Sequence, residues 1–221
     1  MSARPSRSSP PARWPTRSPP TIPRSVDPAE QARWYAEGGA AGISVLTDPD
    51  HFDGSLANLR EAGAAGRPLL MKDFLVDERQ IQAAEAWGAS AVLAIARLPR
   101  EGYTDYTLKQ ACQDAHDRGL EILAEVVTAD ELEQALAAGA DAIGVNVRDL
   151  DTLAIDPERT RHLLADRQLP VPALHLSDVE TRADVEQAVA DGAHGALVGT
   201  SLMEAEDPTQ RLRALRGGHP S

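Results

Sequence analysis

Short apolar runs recur along the chain, and each of four follows a helical pattern that ends at Gly-Ala. The four glycines are Gly39, Gly88, Gly139 and Gly192, and successive ones are 49, 51 and 53 residues apart. Glycine suits a helix end because it adopts a left-handed backbone without a Cβ clash. A repeat near 50 residues fits two strand–helix units, since one unit takes roughly 25–30 residues.

A further apolar run lies in the middle of each interval, which gives seven predicted strands. They cover residues 42–46, 68–71, 91–95, 121–125, 142–145, 171–175 and 196–198. Helical patterns occupy residues 28–38, 78–87, 108–117, 129–138, 157–165, 181–190 and 208–215. This alternation implies parallel pairing through right-handed crossovers, so we interpret the strands as numbers two to eight of a (β/α)8 TIM barrel. The alternative is an open doubly wound sheet, but no strand is followed by the G-x-G-x-x-G of a dinucleotide fold.

The first strand of that barrel is expected just before residue 28, where the sequence is unfavourable. Residues 11–17 contain two prolines, and proline cannot donate to a strand ladder. We therefore predict an α/β barrel with a weak or missing first strand. Unpaired edges on the neighbouring strands would lower stability and favour self-association.

Residues 1–26 differ in composition from the rest of the chain. They contain seven prolines, six serines, five arginines and no acidic residue. Such a tract buries too little apolar surface to offset its ordering entropy. We predict disorder at residues 1–26, the barrel at residues 27–216 and a flexible tail at residues 217–221. A transit peptide and a mis-assigned start codon are the alternatives.

Composition narrows the classes of function. The 221 residues are 42% hydrophobic and carry a net charge of −12, and no stretch approaches the ~20 apolar residues of a membrane span. An acidic surface repels nucleic-acid phosphates, and a single cysteine, Cys112, excludes a disulfide framework. We expect a cytoplasmic protein without nucleic-acid or membrane partners, and the sequence leaves its oligomeric state open.

Candidate chemistry lies at the carboxyl ends of the predicted strands, where barrels of this kind carry their reactive groups. Lys72 is one of only two lysines in a chain of 20 arginines. Lysine can lose its proton and act as an acid, a base or a nucleophile, which arginine cannot. The alternative is a structural ion pair between Lys72 and Asp73.

Two later strand ends, after residues 121–125 and 142–145, supply further polar groups. Side chains alternate along a strand, so Glu125 shares the inward face with Leu123 and is placed for acid–base chemistry. Asn146 and Arg148 share one face, and the arginine suits a substrate carboxylate or a structural ion pair equally well.

The last two strand ends complete the set. Ser177 ends one strand, and Gly199-Thr200-Ser201 follows the last strand at the place where barrels often bind phosphate. His51 and His175 have no partner at metal-ligand spacing, and a lone strand histidine is more often a satisfied core residue.

Together these segments resemble the indole-3-glycerol phosphate synthase family. The matching motifs stand in family order and cover residues 38–48, 51–55, 68–74, 123–126, 143–150 and 197–203. The resemblance implies a carboxy-lyase of tryptophan biosynthesis. Such an enzyme would close the ring of 1-(2-carboxyphenylamino)-1-deoxyribulose 5-phosphate with loss of CO2 and water. The resemblance also implies that neither a metal nor an organic cofactor is needed.

The same resemblance implies roles for single residues. Lys72 would be the general acid at the substrate carbonyl, and Glu125 the acid–base group for dehydration. Asn146 and Arg148 would line the site, with Ser177 nearby. The residues that would hold the phosphate group are Gly199, Ser201 and, in the loop after the first strand, Ser18.

The chain departs from the family at two places. The family's first strand reads Glu-Ile-Lys where residues 13–15 read Arg-Trp-Pro, and its Glu-Ser-Gly appears as Leu-Ser-Asp at residues 176–178. An anion at residue 178 would repel a phosphate group. The alternatives are therefore a low-activity or non-catalytic barrel paralogue and another phosphosugar-binding barrel enzyme. The retained Lys72 and Glu125 favour an enzyme.

Overall fold

The computed structural model describes residues 26–149 and 152–217, and parallel strands alternate with helices throughout. The strands are β1 Ile43–Leu46, β2 Leu69–Lys72, β3 Ala91–Ile95, β4 Glu121–Val126, β5 Ala142–Asn146, β6 Ala173–Leu176 and β7 Gly195–Leu197. The helices before β4 are α1 Pro28–Gly38, α2 Pro49–Phe52, α3 Leu56–Ala62, α4 Glu78–Ala86, α5 Arg97–Arg100 and α6 Leu108–His116. Those after β4 are α7 Ala129–Ala138, α8 Arg159–Leu164, α9 Arg182–Ala190, α10 Thr200–Met203 and α11 Pro208–Arg216.

The sheet has the order of the chain itself. Each strand from β1 to β7 pairs in parallel with the next one, so every connection is a strand–helix–strand crossover. The register places Leu46 beside Lys72, Ile95 beside Glu125, and Asn146 beside Leu176. The carboxyl ends of the strands therefore meet at one mouth, as a TIM barrel requires.

Local sequence explains where the helices begin and end. An Asp, Ser or Thr side chain accepts a hydrogen bond from a first-turn N–H at the start of eight helices, including Thr128 before α7 and Asp207 before α11. The four glycines of the Gly-Ala repeat all have positive φ, between 86° and 103°. The repeat thus marks helix ends, as the sequence indicates.

Two apolar clusters form layers on the two faces of the sheet. The larger layer lies between the strands and the helices and includes the fully buried Ile122, Leu132 and Ile143. A smaller cluster fills the barrel interior around Leu93 and Leu123. These inner side chains form the floor beneath the polar groups at the mouth.

In the described part of the chain β1 and β7 do not pair with each other, and helices pack across the gap between them. Helix α1 packs between α3 and α11, and Thr209 Oγ1 donates a hydrogen bond of 3.0 Å to the Trp34 carbonyl oxygen. Between residues 26 and 217, as far as they are described, β1 and β7 are the two edges of the sheet. The predicted first strand and the predicted disorder of residues 1–26 fall almost entirely outside the described residues.

The predicted elements agree with the structure to within one or two residues. The largest shifts are at β6 and α8, both of which begin two residues later than predicted. Four short helices, α2, α3, α5 and α10, were not predicted because none is long enough to show a helical repeat. No helix in the described ranges has the length and apolar character that a membrane crossing needs.

Candidate active site

Lys72 and Glu125 face each other across the mouth of the barrel. Lys72 ends β2, and Glu125 lies near the end of β4. Lys72 Nζ lies 3.8 Å from Glu125 Oε2, and the Glu125 side chain is only 3% exposed. The alternative pair with Asp73 does not form, because the Asp73 carboxylate accepts hydrogen bonds from the Thr47 hydroxyl and the Phe74 backbone N–H. The lysine therefore provides the countercharge for a buried carboxylate.

Asn146 connects Glu125 to the next two strand ends. Its Nδ2 donates a hydrogen bond of 2.8 Å to Glu125 Oε1. Its Oδ1 accepts bonds from Ser177 Oγ at 2.8 Å and from the Arg148 backbone N–H at 3.0 Å. The amide orientation is therefore fixed from both ends, and four of the predicted site residues belong to one network.

Arg148 joins this network through its backbone rather than its side chain. Its guanidinium donates a hydrogen bond of 3.4 Å to the Leu153 carbonyl oxygen. The buried Arg97 lies behind the same loop, with ion pairs of 3.5 Å to Glu131 and 3.9 Å to Asp149. These contacts hold the loop that follows β5.

The loop after β6 has an unusual backbone. Ser177 and Asp178 have φ values of 73° and 56°, in the left-handed region that favours glycine. Such a conformation costs about 1–2 kcal/mol for most residues, so the surrounding contacts must maintain it. His175 Nε2 lies 3.0 Å from the Ser177 carbonyl oxygen, and Ser201 Oγ donates to the Val179 carbonyl oxygen at 3.1 Å.

The predicted phosphate segment lies at the end of β7. Gly199 precedes the single turn of α10, and Thr200 is exposed. The Ser201 hydroxyl is already bonded to the loop after β6, so this segment and Ser177 belong to neighbouring loops. Ser18 lies outside the described residues.

Leu176 fills the barrel interior where the family carries a glutamate. It is 4% exposed, and a Cβ added to Gly144 would come within 2.6 Å of its Cδ1 atom. Gly144 therefore provides the space for Leu176. The second acid implied by the family is absent from this position.

A group of side chains at the mouth was missed by the sequence analysis. The Phe52 and Phe74 rings stack with centroids 5.6 Å apart, and His51 meets the edge of Phe74 at 5.1 Å. His51 Nδ1 lies 2.9 Å from an oxygen of Asp48, which also caps α2. These residues belong to two of the matching motifs, 51–55 and 68–74, but nothing in the sequence indicates that they contact one another.

Asp73 lies beside this aromatic group. Burial raises the pKa of its carboxyl above the usual range, against the opposing effect of the Thr47 hydrogen bond. Within the described ranges, no three His, Cys, Asp or Glu side chains come together as a possible metal site.

The structure confirms that His175 is a strand histidine whose two ring nitrogens both have hydrogen-bond partners. Its Nδ1 lies 2.7 Å from Thr160 Oγ1, and Thr160 is fully buried. Desolvation lowers the pKa of His175 below its ordinary value of 6.5, although the hydrogen bond to the Ser177 carbonyl and three aspartates oppose this effect. The imidazole is therefore favoured in its neutral form.

The fold and the site define a β/α-barrel protein with a lysine–carboxylate pair at the carboxyl ends of its strands. The family model described as indole-3-glycerol phosphate synthase matches residues 15–215. The chain belongs to the indole-3-glycerol phosphate synthase family, whose members are decarboxylating lyases of tryptophan biosynthesis.

Two relatives illustrate the similarity. The indole-3-glycerol phosphate synthase of Aquifex aeolicus is 40% identical over 198 residues, which cover 88% of this chain and 75% of that protein. The enzyme of the same name from a Nocardioides species is 42% identical over 201 residues, with coverages of 89% and 74%.

Solved structures of other proteins share the fold. A thiamine phosphate pyrophosphorylase from Pyrococcus furiosus superposes with a TM-score of 0.66 at 20% identity, covering 86% of this chain and 87% of its own. At that identity the likeness concerns the barrel alone.

The neutral state of His175 can be tested through the pH dependence of stability. Because its pKa is lower in the folded than in the unfolded chain, the unfolded chain binds more protons as the pH falls through 6.5. The stability gained from neutral His175 is present above pH 6.5 and is lost below it. The His175→Gln variant lacks this titration, so the difference in unfolding free energy between wild type and variant should shrink from about pH 7 to about pH 5 in urea. A difference that stays constant over this range would contradict the neutral imidazole.

Proposed function

We propose that this chain converts 1-(2-carboxyphenylamino)-1-deoxyribulose 5-phosphate to indole-3-glycerol phosphate, with Lys72 and Glu125 as its acid–base groups. The observation that carries the proposal is the contact between the two, 3.8 Å apart at the mouth of the barrel. Family membership supports the reaction, and the Asn146 network supports the assignment of these residues.

Ring closure needs an acid at the ketone oxygen of the substrate. As the aromatic carbon that carries the carboxylate attacks the ketone carbon, Lys72 gives a proton to the oxygen, which becomes a hydroxyl group. The carboxylate then leaves as CO2, and its bonding electrons restore the aromatic ring. An ammonium group suits the first step because it carries a transferable proton.

Dehydration completes the indole. The hydroxyl group leaves as water after it receives a proton, and the neighbouring carbon loses a proton to form the new double bond. Glu125 is the acid–base group for this step, and Asn146 holds the carboxylate through Oε1 while Oε2 faces Lys72. Arg148 and Ser177 would contact the substrate from the two adjacent loops.

Phosphate would bind at residues 199–201, where Gly199 allows close backbone approach and no side chain caps the start of α10. Thr200 is exposed and Ser201 lies next to it at the same loop. Ser18 would supply a further contact by resemblance.

The second candidate function, a non-catalytic or low-activity barrel, is favoured by Leu176 and Asp178 in place of the family's acid and glycine.

An indole-forming assay tests the proposal and separates the two candidates. The chain is incubated with the substrate, and indole fluorescence follows product formation. A reduced substrate analogue is titrated in parallel to measure binding. Turnover supports the lyase, whereas tight binding of the analogue without turnover identifies a binding protein. Absence of both contradicts each candidate.

Lys72→Arg tests whether the proton or only the charge of Lys72 is used. Arginine keeps the positive charge opposite Glu125 but does not release a proton at neutral pH, so kcat should fall by about 10²–10⁴-fold. Steady-state kinetics provide the measurement. Lys109→Arg is the control, because Lys109 is exposed on α6 and the same change there should leave kcat unaltered. An active Lys72→Arg protein would exclude general acid catalysis by this residue.

Glu125→Gln tests the dehydration step. Glutamine keeps an oxygen acceptor for Asn146, so the variant should fold while losing the acid–base group, with a loss of about 10²–10⁴-fold in kcat. A ring-closed precursor should accumulate and be detected by mass spectrometry. Glu133→Gln, an exposed carboxylate paired with Arg167, is the control. Unchanged product formation would remove Glu125 from the mechanism.

Asp178→Gly tests the effect of the anion in the loop after β6. Its φ of 56° already suits glycine, so the backbone should keep its path. Removing a negative charge near the phosphate gains about 1 kcal/mol at contact distance in water, which corresponds to about a fivefold decrease in KM. Asp166→Gly is the control, because Asp166 is exposed, has a φ of 61° and lies at the other end of the barrel. A KM that does not change would place the phosphate group elsewhere.

A further inference from the structure

His175 lies on β6 but points away from the barrel interior. Its neighbour Leu176 packs over Gly144 inside the barrel, whereas His175 faces α8 and bonds to Thr160. The residue as a whole is 9% exposed. It therefore has no direct access to a substrate at the mouth, and any effect on the reaction passes through the groups that it contacts.

The two hydrogen bonds of His175 fix its tautomer. Nε2 lies 3.0 Å from the Ser177 carbonyl oxygen, and a carbonyl oxygen can only accept, so the proton is on Nε2. In the neutral ring Nδ1 is then an acceptor, and the Thr160 hydroxyl at 2.7 Å donates to it. Thr160 thus selects the tautomer that binds Ser177.

Ser177 transmits this constraint to the acid–base pair. Its backbone has a φ of 73°, which a serine adopts only when its surroundings impose it. In that conformation its Oγ donates to Asn146 Oδ1 at 2.8 Å, and Asn146 Nδ2 donates to Glu125 Oε1 at 2.8 Å. Thr160 on α8 and the carboxylate of Glu125 are therefore linked through Ser177, which is held by hydrogen bonds at both its carbonyl oxygen and its hydroxyl.

We propose that His175 is a positioning residue, which holds Ser177 in its left-handed conformation and thereby orients Asn146 and Glu125, with Thr160 setting its tautomer. The inference rests on the proposed function in so far as Glu125 is the acid–base group. It assigns a role to two residues that lie outside the substrate-binding surface.

Substitutions at Thr160 test this role without removing the imidazole. Thr160→Val keeps the shape of the side chain but cannot donate to Nδ1, so the ring can take the other tautomer and release the Ser177 carbonyl. A misplaced acid–base group lowers kcat by about 10- to 100-fold while KM changes little. Thr160→Ser keeps the hydroxyl and should restore kcat to within about twofold of wild type.

Two substitutions at His175 provide a second test of the positioning role. His175→Gln retains an N–H donor that can reach the Ser177 carbonyl, whereas His175→Leu retains none. We expect kcat to be higher for the glutamine variant than for the leucine variant. His116→Gln is the control, since His116 is partly exposed and pairs with Asp141 at the opposite end of the barrel. The positioning role is overturned if Thr160→Val and His175→Leu both keep wild-type kcat.

Nitrogen NMR of the wild-type protein gives a readout that does not depend on turnover. The expected result is a neutral His175 with the proton on Nε2, and a shift of the Asn146 side-chain amide resonances in Thr160→Val. A proton on Nδ1, or Asn146 resonances that do not move, overturns the inference. If the wild type forms no indole product while the NMR results are as expected, the proposed function fails and the positioning chain stands.

Discussion

A buried carboxylate is the constraint on which the rest of the site depends. Glu125 is 3% exposed, and an isolated charge at such a position would lose its hydration at high cost. The Lys72 ammonium and the Asn146 amide replace that hydration, one at each carboxylate oxygen. Removing one partner from a buried pair typically costs about 3–5 kcal/mol. The ends of β2, β4 and β5 are thus held together by the same interactions that would serve the chemistry.

The constraint extends outward from Glu125, because each polar group that bonds to it needs hydrogen-bond partners for its remaining atoms. Asn146 can orient its amide nitrogen toward Glu125 only if its oxygen is satisfied, and Ser177 and the Arg148 backbone supply the two donors. Ser177 in turn bonds to Asn146 from a left-handed backbone, which His175 helps to maintain. Polar groups at the mouth therefore act as one unit, in which a change at any member alters the others.

The sequence predicted the architecture well because that information is local and repeated. The Gly-Ala repeat marks helix ends, and the alternation along residues 121–126 places Leu123 and Glu125 on the inner face, where the structure has them. The contacts of His175 could not be predicted in the same way. Its partner Thr160 lies 15 residues away on a helix, and nothing in a single sequence shows which side chains of a helix meet a given strand.

Some residues carry a local signal that can be interpreted from the sequence alone, whereas others acquire their partners only in the fold. Proline at residue 15 carries a local signal about pairing, because its ring removes a backbone donor wherever it lies. Lys72 and Asp73 carry no comparable signal. Lys72, the last residue of β2, turns inward to Glu125, whereas Asp73, the first residue after the strand, meets Thr47.

The loop after β6 explains how an aspartate can occupy a position where the family has glycine. The loop is anchored on both sides of Asp178, by the Ser177 carbonyl at His175 and by the Val179 carbonyl at Ser201. These two contacts hold the backbone on either side of residue 178, and neither of them uses the side chain at that residue. Aspartate is among the residues that tolerate a left-handed backbone, so the substitution keeps the conformation and changes only the charge. The aspartate therefore adds a negative charge at an exposed position of this loop, between the Ser177 and Val179 carbonyls that anchor it.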